Sequence, residues 1–308
     1  MQLFRTLEDL AGHSRKVCLA IGTFDGVHLG HQRVIGQARD DARASGGTSV
    51  VLTFDPHPMR VLQPNKAPLL LTSTPHKLAL LEKLGVDGCL LLTFDKAFSL
   101  TPPEQFVHTV ASHTNHLQEI CVGTRFHFGH NRAGGVRLIE ALAPKYGYVA
   151  REIPDVKLDN EMVSSTAIRQ HLLQGRLDRA AAMLDRPFSI LGTVETGDQR
   201  GRQLGVPTAN LNSHDETLPP DGVYAVRVVI GAEHFGGVVN IGLRPTFATT
   251  KPRRVLEVHV LDFARDLYAR DIEVVFLSKL RDEQKFGSIE ALQAQITADI
   301  QAARRILQ

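Results

Sequence analysis

The hydrophobic rhythm of this 308-residue chain changes near Arg186, and this change constrains the fold more than any other feature. Before it, short apolar runs cover 17–22, 49–54, 88–94, 119–123 and 148–153. Because the runs do not alternate strictly between apolar and polar residues, they predict strands covered on both faces, as in a parallel sheet. Helices are predicted between them, for example over 76–84 and 136–146, each followed by a glycine. We therefore expect residues 1–185 to form an α/β domain that binds ligands beyond the carboxyl ends of its strands.

After Arg186 the apolar period is close to two. The segments 223–230, 234–242, 255–263 and 271–280 are separated by turn residues. This pattern predicts an antiparallel sheet or a small barrel. The last stretch, 288–307, has apolar residues at helical spacing and predicts a closing amphipathic helix. Residues 186–308 are therefore expected to form a second, β-rich domain.

The composition narrows the possible partners and location. With 35 basic and 33 acidic residues, the chain lacks the basic field of a nucleic-acid-binding protein. We see no apolar run of about 20 residues for a membrane helix and no apolar core of a signal peptide. The three cysteines (Cys18, Cys89 and Cys121) lie in separate apolar runs, typical of buried thiols in a reducing compartment. We expect a cytoplasmic protein without nucleic-acid or membrane partners; the sequence gives no oligomeric state.

The segment GTFDGVHLGH, residues 22–31, follows the first apolar run. His28 and His31 are three residues apart, so they share one face of a helix. A metal site would need further ligands, and no motif supplies them. A tight turn over 22–26 and a helix N-terminus instead favour an anion, to which two imidazoles can donate. The pair therefore predicts a phosphate site.

A second anion-binding element begins at Ser164 in SSTAIR. Hydroxyls at a helix N-cap and Arg169 in its first turn are suited to phosphate, although a serine-rich N-cap is weak evidence by itself. The two elements together predict a polyphosphate site for nucleotidyl transfer by positioning and electrostatics. The tripeptide Thr-Phe-Asp recurs at 23–25, 53–55 and 93–95. We interpret the first two copies as site candidates and the third as a simple strand exit.

These motifs resemble those of the nucleotidyltransferase superfamily. Together with TFDPHP and VGTRFHFGHNRAGG, GTFDGVHLGH and SSTAIR are similar to the FMN adenylyltransferase module of bacterial bifunctional riboflavin kinase/FAD synthetases. The resemblance implies a Rossmann-like nucleotidyltransferase domain in which AMP from ATP is joined to FMN and pyrophosphate is released. The implied site residues are catalytic His28 and His31, with Gly22, Phe24, Asp25, Ser164, Thr166 and Arg169 binding ATP and its phosphates.

Two positions depart from this family pattern. Arg125 stands where the family usually has Asp or Asn, and Gly135 stands where an acidic residue is common. If the missing side chains normally orient FMN or ATP, we expect FAD synthesis to be slow or to use a different contact with the substrate. Arg125 either grips a phosphate or points to solvent, and the sequence does not rank these alternatives.

Two features of the second domain carry possible chemistry. Gly197, Gly201 and Gly205 allow backbone N–H groups to face a polyphosphate, although a flexible hairpin loop explains them equally well. Thr208 and Asn210 could complete a magnesium site. Glu257 lies on the opposite face of its strand from Leu256, Val258 and Val260, either as a general base or as a solvent-facing residue.

The order of GTVETGDQRGRQLGVPTANL, GGVVNIGLRPTF and LEVHVLDF resembles riboflavin kinases. The resemblance implies a small antiparallel β-barrel in which Thr208 and Asn210 bind Mg²⁺ with ATP. It also implies that Glu257 deprotonates the ribityl 5′-hydroxyl. Residues expected to bind ATP or flavin are Gly197, Gly201, Arg202, Gly205 and Arg281, with Phe286 closing over the flavin.

The predicted function is therefore bifunctional: riboflavin and ATP give FMN, and FMN and a second ATP give FAD. One alternative is a riboflavin kinase whose first domain adenylylates another phosphorylated metabolite. Another is a flavin-binding protein with a decayed first site. The intact His28, His31 and SSTAIR favour two working sites over decay.

Overall fold

The computed structural model describes residues 1–11, 15–196, 206–244 and 253–308. The chain divides into two compact units that are not continuous in sequence. The first comprises Met1–Leu69 and Thr74–Ser165, and the second comprises Leu70–Ser73 and Thr166–Gln308. The predicted domain boundary after residue 185 falls later in the chain than this division and stays a prediction.

A parallel sheet forms the centre of the first unit. Its six strands among the described residues are β1 (Gln2–Phe4), β2 (Val17–Ile21), β3 (Thr48–Asp55), β4 (Gly88–Thr93), β5 (Leu117–Gly123) and β8 (Val149–Ile153). Their order is β1-β4-β3-β2-β5-β8, and all neighbours are parallel. The five predicted strands are confirmed. Two short hairpins pair β6 (His127–Phe128) with β7 (Gly134–Gly135) and β9 (Lys157–Leu158) with β10 (Glu161–Met162).

Helices of the first unit connect these strands. They are α1 (Leu7–Ala11), α2 (Leu29–Ala44), α3 (Pro58–Leu62), α4 (Thr74–Lys83), α5 (Pro103–His113) and α6 (Val136–Tyr146). Alternate strand residues pack into apolar cores on opposite faces of the sheet, Leu19 and Leu52 in one and Ala20 and Val51 in the other. This two-sided burial explains why the strands appear as continuous apolar runs. Helix α6 has the predicted bounds, and α4 begins two residues earlier than predicted.

The strand order places a binding crevice at one position in the sheet. Strands β3 and β4 lie on one side of β2, whereas β5 and β8 lie on the other. The direction of winding therefore reverses between β2 and β5, and open α/β sheets bind ligands beyond the carboxyl ends of strands at such a point. The segment GTFDGVHLGH follows β2 directly.

A closed antiparallel barrel dominates the second unit. Helices α7 (Ser165–Leu173) and α8 (Leu177–Leu184) precede it. Its strands among the described residues are β11 (Ser189–Glu195), β12 (Ala209–Asn212), β13 (Gly222–Ile230), β14 (Glu233–Arg244), β15 (Arg253–Val260) and β16 (Asp271–Arg281). Their order around the barrel is β11-β12-β15-β14-β13-β16. The four predicted strands are confirmed, whereas β11 and β12 were not predicted.

The final helix, α9 (Ile289–Leu307), packs on β13, β14 and β16. A Cβ at Gly236 would lie only 2.6 Å from Cδ1 of Leu307, so glycine permits the helix to approach β14 closely. The predicted closing helix and the predicted fold class, a parallel α/β domain followed by an antiparallel barrel, are confirmed. Within the described ranges, none of the helices has the length and apolar character needed to cross a bilayer.

Candidate active sites

The loop after β2 has an unusual backbone. Phe24, Gly26 and Val27 have φ angles of 49°, 86° and 43°. Positive φ is uncommon for non-glycine residues and strongly disfavoured for a β-branched one such as Val27. A Cβ at Gly22 would lie 2.9 Å from the Phe24 ring, so glycine leaves room for that ring. Such strain persists where the surrounding structure imposes it, most often at functional sites.

His28 and His31 lie together at the start of α2. Their rings stack with centroids 3.5 Å apart and planes 19° apart, so the predicted shared face is confirmed. His28 is the N-cap residue, and its Nδ1 accepts a hydrogen bond from the His31 backbone N–H at 3.3 Å. This bond leaves the proton of a neutral His28 on Nε2. A Cβ at Gly30 would lie 3.2 Å from Cε1 of His28, so the glycine between the histidines makes room for the imidazole.

The electrostatics of His31 favour an anionic ligand. Burial, and then the nearby His28 and Lys77, hold the pKa of His31 well below its usual value, so the ring is neutral at neutral pH. Its Nδ1 is buried and has no hydrogen-bond partner among the described residues. Buried polar atoms are nearly always paired, and a bound anion would supply the missing interaction.

The metal alternative has little support in the described parts of the chain. The one grouping of possible metal-ligating side chains there is Asp41, Glu119 and Cys121, which does not include either histidine. Arg151 already binds Glu119 at 2.7 Å and lies 3.6 Å from Asp41, so a guanidinium supplies the positive charge. The phosphate role of the histidine pair stays a prediction that this geometry favours.

The first two Thr-Phe-Asp copies meet at the ends of β2 and β3. The Thr53 hydroxyl donates to the Thr23 carbonyl at 3.1 Å, and the buried Lys77 ammonium contacts both residues. The third copy is different, since the Asp95 carboxylate accepts from the nearby Phe98 N–H at 2.7 Å in a local turn. The third copy also contacts the second, since the Phe94 N–H donates to the Asp55 carbonyl at 3.0 Å and the Phe94 ring packs on Phe54. The site roles of the first two copies stay predictions. Lys77 was not predicted as a site residue.

The second predicted phosphate element begins α7. The Ser165 hydroxyl donates to the Asp25 carbonyl at 2.9 Å, which fixes the start of α7 against the strained loop. Ser164 immediately precedes the helix, and Thr166 lies in its first turn. Arg169 is the fifth residue of α7, so it begins the second turn and not the first turn as predicted. The phosphate roles of these three residues stay predictions. Ser165 was missed, although it lies inside the quoted motif.

Arg125, the main departure from the family pattern, forms an ion pair. Its Nε lies 3.1 Å from Oδ2 of Asp155, and 57% of its side chain is exposed. The side chain therefore has an acidic partner at the protein surface. This placement does not decide between the two alternatives, a contact with phosphate and a side chain that points to solvent. Gly135 is the N-cap residue of α6 and lines a cavity of about 900 Å³ with Thr124 and Arg137.

In the second unit, Glu257 lies at the centre of a polar row. Across β12, β15 and β14, Asn210 and Asn240 are the register partners of Glu257 on its two sides. Leu256 and Val258 are buried in the barrel, whereas Glu257 on the other face is partly exposed. The predicted division of the strand is confirmed. Asn240 was not predicted, because only the pairing of β14 with β15 places it beside Glu257.

Glu257 lines a cavity of about 320 Å³ on this face of the barrel. Helix α9 lines the cavity with Leu292, Ile296 and Ile300 and with Asp299. The lining thus combines polar groups around Glu257 with apolar side chains of α9, a combination typical of small-molecule sites.

Arg281 and Phe286 line the same cavity. The Arg281 guanidinium binds the buried Asp299 carboxylate of α9 through Nε at 3.0 Å and Nη2 at 2.8 Å, and it lies 5.7 Å from the Phe286 ring centre. The guanidinium therefore holds α9 to the end of β16, and its contact with flavin stays a prediction.

A second cavity, of about 530 Å³, shares Thr208 with the first. Val194 and Tyr268 line it elsewhere. His259 donates through Nδ1 to the Pro207 carbonyl at 2.8 Å and so holds the segment just before β12. Thr208 therefore lies at a wall common to both cavities. Gly197, Gly201, Arg202 and Gly205 lie outside the described residues.

Comparisons with known proteins agree with this two-site geometry. The family profile described as FAD synthetase matches residues 11–167, and the one described as riboflavin kinase matches residues 184–307. A bifunctional riboflavin kinase/FMN adenylyltransferase of Pseudomonas fluorescens is 40% identical over 99% of this chain and 98% of its own length. The Escherichia coli K12 protein of the same name is 38% identical, with coverages of 99% and 97%.

The fold is also found in a solved structure. A crystal structure titled as a macrolide-efflux protein from Streptococcus pneumoniae superposes with a TM-score of 0.82 at 30% identity, covering 98% of both chains. The full-length relatives favour the two-activity prediction over its alternatives. The chain belongs to the family of bifunctional riboflavin kinase/FMN adenylyltransferases: it uses ATP to phosphorylate riboflavin to FMN and to convert FMN to FAD.

Proposed function

We propose that Glu257 is the general base of the kinase reaction. Within the described residues its carboxylate has no ion-pair partner, and it lies among the polar groups that line the 320 Å³ cavity. A carboxylate in this position can accept the proton of the ribityl 5′-hydroxyl as that oxygen attacks the γ-phosphorus of ATP and ADP leaves. The row formed by Asn210, Glu257 and Asn240 is the observation that carries this assignment.

The two cavities suggest where each substrate lies. The isoalloxazine ring occupies the first cavity against the apolar side chains of α9, with its ribityl chain directed to Glu257. ATP occupies the 530 Å³ cavity, with its phosphates near Thr208, since this residue lines both cavities. Arg281 and Phe286 border the flavin, and the glycines and Arg202 of the segment 197–205 bind the phosphates.

Mg²⁺ is the proposed metal of the kinase site. Thr208 offers a hydroxyl and Asn210 a carboxamide oxygen, and hard oxygen donors are the ligands that Mg²⁺ prefers. The two residues lie at and beside the start of β12, next to Glu257 across the strands. When bound, the ion supplies neutralising charge to the phosphate oxygens; Thr208 and Asn210 orient those phosphates toward the hydroxyl.

For the second reaction we propose that the histidine pair binds the triphosphate. The FMN phosphate attacks the α-phosphorus of ATP, the bond to the β-phosphate oxygen breaks, and pyrophosphate leaves. The reaction needs no protein nucleophile, so catalysis rests on positioning and charge stabilisation. His28 and His31 donate to the phosphates, Gly22, Phe24 and Asp25 line the nucleotide, and Ser164, Thr166 and Arg169 bind the phosphates from α7.

The domain limits and location also remain proposals. We assign residues 1–185 to FAD synthesis and 186–308 to the kinase, since the second family match begins at residue 184. A cytoplasmic location is supported by three cysteines that are buried as free thiols.

Replacing Glu257 with Gln tests the kinase proposal. The amide keeps the size of the side chain but cannot accept the proton, so FMN formation is expected to fall by at least about 10²-fold. Riboflavin binding, followed by quenching of flavin fluorescence, is expected to stay within threefold. A kinase rate within threefold of the original enzyme contradicts the role of Glu257.

A further inference from the structure

Lys77 is a buried cation that the proposed chemistry does not use. It lies on α4 and is 6% exposed, and its neighbours His76 and Leu80 are equally enclosed. Burying an ammonium group carries a large desolvation cost unless its charge and donors are compensated. A lysine in this position therefore needs a structural or functional reason.

The ammonium group is satisfied by three oxygen atoms at the ends of two strands. Nζ donates to Oγ1 of Thr53 at 3.0 Å, to the Phe54 carbonyl at 3.2 Å and to the Thr23 carbonyl at 3.3 Å. Thr53 and Phe54 lie in β3, while Thr23 lies in the loop just after β2. One side chain thus ties together the two strand ends beside the crevice.

This contact is directly connected to the strained loop. Thr23 precedes Phe24, whose φ is 49°, and the same loop leads to His28 at the start of α2. The Thr23 carbonyl also accepts the Thr53 hydroxyl, so two donors hold it. Because these donors occupy the lone pairs of the Thr23 carbonyl, its oxygen repels an anion bound at the loop less strongly.

The charge of Lys77 also acts on the histidine pair. All three hydrogen-bond acceptors are neutral oxygens, and the charged or titratable groups acting on Lys77 are Asp25, Asp55 and Cys89. Burial lowers the pKa of Lys77, and Asp25 is the first of the groups that oppose this shift. Its positive charge in turn lowers the pKa of His31, together with burial and His28.

We propose that Lys77 is a positioning residue for adenylyl transfer, which holds the Thr23 carbonyl and places a fixed positive charge behind the phosphate-binding histidines. The inference rests on the proposed phosphate role of His28 and His31. A charge that is already in place needs no reorganisation when negative charge builds on the leaving pyrophosphate, which is why such groups accelerate phosphate transfer.

Two variants of the full-length protein test this role. Lys77→Met removes the charge and keeps the length of the side chain, so FAD formation from FMN is expected to fall about 30-fold in kcat, with KM for FMN within threefold. Lys77→Arg keeps the charge and several donors, and it is expected to retain FAD formation within tenfold. Far-UV circular dichroism and denaturant unfolding report folding of the first unit, which holds Lys77. FMN formation from riboflavin by the same molecules is expected to stay unchanged in both variants.

A second readout follows the charge itself. The pKa of His31, measured by NMR on histidine-labelled protein without ATP, is expected to rise in Lys77→Met and to stay low in Lys77→Arg. A purely structural lysine would not separate the two variants in this way. FAD formation by Lys77→Met within threefold of the original enzyme overturns the inference.

The outcome remains decisive if Lys77→Met fails to fold. Circular dichroism and denaturant unfolding would reveal this failure, and Lys77→Arg then decides: a folded Lys77→Arg protein with FAD formation reduced more than 100-fold contradicts the charge role. His28→Ala is measured in parallel. If His28→Ala loses FAD formation and Lys77→Met does not, the Lys77 inference alone fails. If His28→Ala is fully active, the proposed phosphate site fails.

Discussion

Gly30 gives a sharp test of the histidine geometry, because a single added methyl group addresses His28 alone. A Cβ at this position would lie 3.2 Å from Cε1 and 3.3 Å from Nδ1 of His28, closer than the 3.4–4 Å of ordinary contacts. The imidazole must therefore shift by a few tenths of an ångström. It cannot move freely, since it stacks on His31 at 3.5 Å and accepts the capping bond at 3.3 Å.

The expected effects of Gly30→Ala on stability and activity are different. Weakening the N-cap bond costs about 1 kcal/mol. The replacement of a helical glycine by alanine contributes about 1 kcal/mol in the opposite direction. The free energy of unfolding is thus expected to change little. Misplacing a positioning group by about 1 Å costs roughly 10²-fold in rate, so a smaller shift is expected to lower kcat for FAD formation about tenfold.

Gly36→Ala is the matched control in the same helix. A Cβ there has one neighbouring side-chain atom at 4.0 Å, from Arg39, so it causes no crowding. FAD formation from FMN and ATP is measured by separating the flavins, and FMN formation from riboflavin is measured on the same samples. We expect Gly36→Ala to keep both activities and Gly30→Ala to lose only the first. Equal FAD formation by the two variants, within twofold, would refute the proposed role of the His28 position.

Three further predictions concern other parts of the chain. Arg125→Ala is expected to change the unfolding free energy by less than about 0.5 kcal/mol in denaturant titration, because its ion pair with Asp155 is exposed; a loss above about 1 kcal/mol would contradict this expectation. Asn240→Ala is expected to slow FMN formation about tenfold, because Glu257, its register partner, would be held less precisely. An unchanged kcat would show that Asn240 has no role in the kinase site. Tyr224→Phe is expected to cost about 1 kcal/mol, since its hydroxyl donates to the Pro220 carbonyl at 2.6 Å. Burial raises the pKa of Tyr224 to about 12. The original protein is therefore expected to lose stability as the pH rises from about 10 towards 12, because the unfolded chain releases this proton first. An equal loss of stability in the Phe variant would show that Tyr224 is not the cause.

The sequence predicted those elements whose burial leaves a clear pattern. Strands such as β3 are apolar along their whole length because the sheet is covered on both faces, and α6 ends at Gly147, which adopts a φ of 75°. The edge strand β1 has three residues, too few for a pattern. Strand β12 was missed because it has only four residues, too few for a clear alternation, and follows a glycine-rich segment.

The candidate site residues also divide into those that a local pattern reveals and those that only the folded chain brings together. His28 and His31 were predictable because they are close in sequence and lie on one helix. Lys77 contacts Thr53 in β3 and Thr23 in the loop after β2, which are 24 and 54 residues away in sequence. Local spacing carries no information on such a contact. A lysine between apolar residues of a predicted helix does indicate, however, that the lysine is buried and needs polar partners. Asn240 was missed for a related reason, since only strand register places it next to Glu257.

The central claim is that two separate sets of residues carry the two activities. It is tested most directly by giving riboflavin, ATP and Mg²⁺, and separately FMN, ATP and Mg²⁺, to Glu257→Gln and to the His28→Ala/His31→Ala double variant, and separating the flavins over time. We expect Glu257→Gln to make FAD from FMN but nothing from riboflavin, and the double histidine variant to accumulate FMN without FAD. FMN formation by Glu257→Gln, or FAD formation by the double variant, at a rate within threefold of the original enzyme would contradict the account.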